Sequence, residues 1–272
     1  MTDTPANISA AVILCGGQGT RMGSLTEEVP KSLLDVQGRP ILWYIISRLY
    51  LSGVSRFVLP VGYLGEQIAS YVETAFGDTD CEIICVDTGA DTPIGQRIDR
   101  VRGQLPDDGD IFLTNGDALF DFDAADIAAH HVHTNAAITF ATVQTISKYG
   151  LVVVDGDGIV GFERQSRVAG YQIEGERNLN TGLIYAGICM LHTRAFDVID
   201  LGASQRFESE LFPKLIADES AAQYVLPGFW YSIDTPKDLA AVNTGAGSDP
   251  MFAAPASRLK AGLDAAMQSP DR

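Results

Sequence analysis

The stretch AAVILCGGQGTRM, Ala10 to Met22, decides how this chain is read. An unbroken apolar run, Ala10–Leu14, stops at Cys15-Gly16-Gly17. A short continuous apolar run closed by glycine is the pattern of a strand buried on both faces, as in parallel sheets. Glycine just after such a strand lets backbone N–H groups approach an anion without a Cβ in the way. Two common phosphate motifs do not fit. A dinucleotide turn needs G-x-G-x-x-G, and starting at Gly17 and Gly19 puts Met22 where the third glycine belongs. A P-loop needs G-x-x-x-x-G-K-[ST], and no Gly-Lys pair occurs here. On its own the double glycine is a tight turn. Arg21 directly after it, and Lys31 beside Pro30, add a fork-shaped cation and a point charge of the kind that grip phosphate.

Outward from this stretch, apolar runs and helical patterns alternate. Ile41–Leu51 is a helix opened by Pro40, Arg56–Val61 a strand and 64–76 a helix. A strand follows at 81–86, a helix at 95–105, a strand at 111–114, a helix at 123–133 and a strand at 136–143. This order predicts an α/β fold: a doubly wound, mostly parallel, Rossmann-like sheet. Ligands of such sheets gather at the carboxyl ends of the strands. The glycine turn and Asp117, in TNGD, should therefore face one crevice. The second half reads as a small β-rich part. It has a hairpin over GLVVVDGDGIVGF, a strand at 183–191, a helix at Phe207–Ala217, short strands at 222–226 and 229–233, and a helix from Pro236 capped by Thr235. The division expected is 1–135 for a nucleotide-binding half, 136–244 for an acceptor-binding half, and 245–272 for a linker with a weak terminal helix at 258–267.

Bulk composition narrows the partners. The 272 residues are 46% hydrophobic and 20% charged, which suits a sizeable globular core. A net charge of −16 argues against nucleic acid and anionic membrane as partners. It also means that any phosphate ligand must be held locally, by a few cations, by backbone N–H groups and by a divalent ion. Four cysteines, Cys15, Cys81, Cys85 and Cys189, show no metal spacing and read as buried thiols of a reducing, cytoplasmic setting. The opening MTDTPANISA has no basic start or long apolar segment, so no secretory signal is expected.

The set L-x-G-G-x-G-T-R-[ML]…P-K resembles the signature of the sugar-phosphate nucleotidyltransferases. The resemblance extends over GRPILWYI, VGYLGEQI, VDTGADTPIGQRIDRV, FLTNGDALFDFD and PGFWYSIDTPKDL, from about Ala10 to Asn243. Within the family these stretches are most similar to the glucose-1-phosphate cytidylyltransferases. The resemblance implies transfer of a nucleotidyl group, CMP first, from a nucleoside triphosphate to a sugar 1-phosphate, with pyrophosphate released. It places catalysis on Arg21 and Lys31. It places nucleotide binding on Leu14, Gly16, Gly17, Gly19, Thr20, Asn115 and Gly116, with Gly89, and Gly95 beside Arg97, at the rim. It places Mg²⁺ on Asp117 and Asp234, whose carboxylates suit a hard cation. For either aspartate the competing role is a turn or cap; Thr235 can cap its helix and free Asp234. Because relatives assemble, a homo-oligomer is expected, with the tail as a candidate contact.

The acceptor half departs from the family pattern. Where relatives carry Glu-Lys-Pro after a phenylalanine, this chain has GFERQSR, putting Gln165 at the lysine position with Arg164 and Arg167 beside it. Where relatives have an asparagine before an apolar strand, this chain has Tyr185. Arg164, Gln165 and Tyr185 are thus the acceptor candidates, and a phosphate or phosphonate acceptor other than glucose 1-phosphate stays open. So does another triphosphate, and so does a non-catalytic nucleotide sensor. The histidines His130, His131 and His133 lack i, i+4 metal spacing and read as the end of a helix. Trp43, Tyr44 and Trp230 read as core.

Overall fold

The computed structural model describes residues 8, 10–144, 151–155, 157–163, 171–173 and 179–269. Seven strands make the central sheet: β1 (Ala10–Leu14), β2 (Arg56–Val61), β3 (Glu82–Asp87), β4 (Asp110–Asn115), β5 (Ile138–Gln144), β6 (Leu183–His192) and β7 (Ala221–Val225). Their order is β7-β5-β6-β4-β1-β2-β3. β1 is parallel to both β2 and β4, β2 to β3, and β5 to β7. Only β6 runs against its neighbours β4 and β5. The fold is the doubly wound α/β sheet expected, with one reversed strand that periodicity could not reveal.

Side-chain alternation in β1 feeds two cores. Ala11 and Ile13 join the larger one, while Ala10 and Val12 join the one behind it. Helices α1 (Ile41–Leu51), α2 (Gly65–Phe76), α4 (Ala124–Thr134), α6 (Pro236–Val242) and α7 (Pro250–Met267) contribute to the first core. Helices α3 (Ile94–Val101) and α5 (Phe207–Ala217) contribute to the second. With helices on both faces, the central strand β1 is apolar on both sides, which is why it reads as a continuous run.

Local chemistry sets the ends. The α6 N-terminus is a full capping box: Asp238 N–H donates to Thr235 Oγ1, and the Asp238 carboxylate accepts from the Thr235 N–H at 2.9 Å. The tail helix is longer than the sequence suggests. It starts at Pro250 behind an Asp249 cap and buries Ala253, Ala256, Leu259 and Leu263. Gln37 ties it down, donating to the carbonyls of Val242 at 2.6 Å and Ala253 at 3.0 Å. Strands β5 to β7 complete the same sheet that β1 to β4 begin, so the two halves read from sequence share one sheet.

Candidate active site

Strand order turns at β1. The chain builds β2 and β3 to one side, then crosses to β4 on the other. The crevice between the carboxyl ends of β1 and β4 is the switch point where ligands of such sheets bind. Leu14 and Asn115 end these two strands and are register partners. Gly116 turns the chain immediately after β4, where its N–H donates to the Leu14 carbonyl at 3.0 Å. A Cβ on Gly116 would stand 2.9 Å from that same oxygen, so only glycine fits.

The glycine stretch leaves β1 as a turn, followed by 3₁₀ turns over Thr20–Thr26. Gly19 has φ 65°, a left-handed conformation that favours glycine, and a Cβ there would stand 3.0 Å from Lys31 Cβ. The Gly19 carbonyl accepts from Thr26 Oγ1 at 3.1 Å, which curls the loop back over itself. Gly17 is exposed and has open space where a Cβ would be. Pro30, with φ −64°, leads into the 3₁₀ turn Lys31–Leu33, so Lys31 points back at the loop.

The two aspartates meet through a short ribbon. Ala118–Phe120 pairs antiparallel with Trp230–Ser232, and Ile233 N–H donates to the Asp117 carbonyl at 2.9 Å. This register carries Asp234 next to Asp117. Lys31 Nζ then donates to Asp117 Oδ2 at 2.7 Å and to Asp234 Oδ1 at 3.1 Å. Arg21 Nη2 lies 2.8 Å from the same Asp234 oxygen, while its side chain is 70% exposed. Asp234 Oδ2 accepts from Ser232 Oγ at 3.0 Å. Burial pushes the Asp234 carboxyl up, but Lys31, Ser232 and Arg21 together outweigh that and hold it below the ordinary range.

Two adjoining cavities open here. One, of about 260 Å³, is lined by Leu14, Cys15, Gly17, Gly19, Thr20, Arg21, Lys31, Ser32, Gly116 and Asp117. The other, of about 580 Å³, shares Leu14, Gly17 and Asp117 with it and adds Gly16, Asn115, Ala90–Ile94, Arg97 and Gln205. The larger falls within the usual range for small-molecule sites, roughly 300–1,000 Å³. Every strand-end and loop residue expected from the motif, together with Arg21, Lys31 and Asp117, lines one cavity or both. Gly89 and Gly95 line neither. A Cβ on Gly95 would lie 2.6 Å from Ser204 Cβ, so this glycine lets α3 pack against the 201–205 segment. Gly89, at φ 79°, shapes the loop after β3. Ser32, Asp91 and Gln205 were not singled out from sequence. Ser32 is next to Lys31, but Gln205 comes from a distant loop with no local signal.

Arg164, Gln165 and Arg167 lie outside the described residues. Tyr185 is described, and the structure does not bring it to either cavity. Its ring packs edge-on against Phe140 and Phe212, at centroid distances of 5.6 and 5.5 Å. Burial, followed by Cys189 beside it, drives its hydroxyl well above the ordinary tyrosine value. Trp230, read as core, donates from Nε1 to the Ala186 carbonyl at 2.9 Å, bracing the irregular stretch of β6.

Residues 10–248 match the nucleotidyl transferase family. The chain belongs to that family. As a nucleotidyltransferase it is 31% identical to a probable glucose-1-phosphate cytidylyltransferase of Bacillus subtilis, over 86% of this chain and 94% of that one. It is 32% identical to a probable mannose-1-phosphate guanylyltransferase of Oryza sativa, over 84% of this chain and 62% of the relative. Among solved structures, HddC from Yersinia pseudotuberculosis superposes with a TM-score of 0.60 at 20% identity, covering 85% of this chain and 96% of that one. That structure shares the fold. No helix among the described residues is long and apolar enough to cross a membrane.

The two carboxylates converge. Both reach one cation, Lys31 Nζ, so both can reach one point in space. No group of three or more His, Cys, Asp or Glu side chains suited to a metal occurs among the described residues. Two carboxylates beside this cavity would suit a hard divalent cation such as Mg²⁺, which keeps waters and takes oxygen ligands.

Proposed function

We propose that this nucleotidyltransferase moves a nucleotidyl group, CMP first, from a nucleoside triphosphate to a sugar 1-phosphate. The observation that carries the reading is the convergence of Arg21, Lys31, Asp117 and Asp234 where the glycine loop meets the end of β4. An oxygen of the acceptor phosphate attacks the α-phosphorus in line. The bond from that phosphorus to the β-phosphate oxygen breaks, and pyrophosphate leaves. The nucleophile is already an anion, so no general base is needed, and catalysis is positioning plus charge neutralisation. Arg21, on an exposed side chain that pairs with Asp234, takes the pyrophosphate charge. Lys31 holds the α-phosphate or the attacking phosphate. Gly17 and its neighbours offer backbone N–H groups to phosphate, and the larger cavity takes the nucleoside. Mg²⁺, held by Asp117 and Asp234, would neutralise donor phosphate charge. The protein is proposed to act as a homo-oligomer in the cytoplasm.

Cytidylyl transfer is favoured by the likeness to the Bacillus subtilis enzyme and by the VDTG segment. A guanylyl donor is the second reading, supported by the guanylyltransferase relatives and by HddC, which was crystallised with GMP-PN. The test is a matrix of four nucleoside triphosphates against hexose 1-phosphates with Mg²⁺, following pyrophosphate release. Release with CTP and glucose 1-phosphate supports the first choice. Release with GTP alone, or with other acceptors only, replaces donor or acceptor. No release with any pair leaves a nucleotide sensor.

A further inference from the structure

Under the glycine loop lies an arginine that forms no ion pair among the described residues; of the carboxylates, only Asp87 and Asp91 act on it, at longer range. Arg97, on α3, is 4% exposed. Its Nη2 donates to the Gly16 carbonyl at 3.0 Å and to the Ala90 carbonyl at 2.9 Å. Its Nη1 donates to Thr88 Oγ1 at 2.6 Å and to the Val61 carbonyl at 3.3 Å. Among the described residues no carboxylate comes within ion-pair distance. Burial pulls the guanidinium below its ordinary value. Holding a cation in such a place is costly unless nearly every donor is used, and here the donors are spent on backbone oxygens of three separate segments.

The chain makes room for this group. A Cβ on Gly16 would run into the guanidinium and stand 2.7 Å from the Pro60 carbonyl. A Cβ on Gly62 would stand 2.6 Å from Arg97 Nη1 and 2.8 Å from the Gly16 carbonyl. So the two motif glycines differ: Gly17 is open to the cavity, and Gly16 is small because Arg97 lies behind it. The segments joined by Nη2 form opposite lips of the 580 Å³ cavity, Gly16–Gly17 on one side and Ala90–Ile94 on the other. A second bond crosses the same gap at the surface, from Gln18 Nε2 to Asp91 Oδ1 at 2.6 Å.

We infer that Arg97 is the positioning residue of the donor nucleoside pocket. It fixes the separation of the two lips, so that the pocket meets the nucleoside already formed. The inference rests on the donor reading above and extends it. Arg97 is absent from the lining of the smaller cavity, where Arg21 and Lys31 lie, so it acts on donor binding and not on the reacting atoms. A lysine cannot replace it, because one ammonium cannot span Gly16, Ala90 and Thr88 as a planar fork does.

The experiment compares wild type, Arg97→Lys and Thr88→Val. Donor affinity is measured by calorimetry with a non-hydrolysable analogue of the triphosphate found most active, with Mg²⁺. Acceptor KM, kcat and melting temperature are measured alongside. Losing charge-assisted hydrogen bonds predicts a donor Kd raised about 10- to 100-fold in Arg97→Lys. A smaller rise in the same direction is expected in Thr88→Val, with acceptor KM and kcat within about 2-fold. Donor Kd unchanged in Arg97→Lys overturns the inference, as does an equal worsening of donor and acceptor KM. If Arg97→Lys does not fold, Thr88→Val decides alone, and an unchanged donor Kd there overturns it. Wild-type protein that binds no triphosphate overturns the donor reading and the inference with it. Wild-type binding beside an unaffected Arg97→Lys overturns the inference alone.

Discussion

Strand β4 has a partnered aspartate near each end, and the two do different work. At its start, Asp110 Oδ1 lies 3.4 Å from Nε2 of His131, whose side chain is 2% exposed. The other ring nitrogen of His131 is 2.8 Å from Thr139 Oγ1, so both its polar atoms are engaged. Just past the other end, Asp117 meets Lys31 at 2.7 Å, and Lys31 also holds Asp234. Here Arg21, Lys31 and Asp117 border a cavity, and Asp234 joins them through its ion pairs with Arg21 and Lys31. An aspartate after a strand is therefore not informative by itself. A polar contact that closes on itself builds the fold, whereas a charge cluster that converges with glycine backbone at an open crevice can receive a ligand.

The largest expected effect tests that contrast directly. Asp117→Asn should cut turnover by roughly 10³-fold or more, since the carboxylate is proposed to hold the Mg²⁺ that would neutralise the charge of a phosphoryl transfer site. Pyrophosphate release measures it, and near-normal turnover would make this end of β4 as structural as the other. Lys31→Met comes next, with turnover reduced about 10²- to 10³-fold. It also leaves Asp117 and Asp234 facing each other without their shared cation, so Mg²⁺ dependence should persist while turnover falls. At the start of the strand the order inverts. Asp110→Asn should cost ~1–3 kcal/mol of stability, from a weakened bond to a buried histidine, with turnover within about 2-fold. Urea unfolding and the same release assay check it. A turnover loss there comparable to that of Asp117→Asn would break the comparison.

The sequence made one end of β4 legible and left the other obscure. AAVIL and its glycines expose the parallel sheet because each strand face is buried. Arg21, Lys31, Asp117 and Asp234 stand out through a family signature, not through spacing. What brings Asp234 to Asp117 is the ribbon of Ala118–Phe120 with Trp230–Ser232, and three-residue strands are too short for periodicity to show. The reversal of β6 is hidden for a related reason: an apolar run says that a strand is buried, not which way it runs. Arg97 was readable in part. The sequence marks it as a rim residue beside Gly95, and the structure keeps it at the rim but turns it inward, on the buried face of α3 with Ile98 and Val101. His131 had no such signal, because only the fold sets Asp110 and Thr139 around it.

The smallest expected effect is an acid limb at the start of the strand. The hydrogen bond from His131 holds the Asp110 carboxyl below its ordinary value of 3.8, against burial, which pushes it up; the charges of His131 and His192 add to the lowering. A carboxyl lowered in the folded state stabilises fully above its unfolded value and loses that contribution as pH falls through the folded value. The stability gap between wild type and Asp110→Asn should therefore shrink as pH falls below 3.8, because the wild-type carboxyl becomes protonated and resembles the amide. Urea unfolding of both proteins at pH 5, 4 and 3 reads the gap. A gap that widens on acidification would mean that Asp110 is not held as an anion by His131. The two ends of β4 would then differ less than their geometry says.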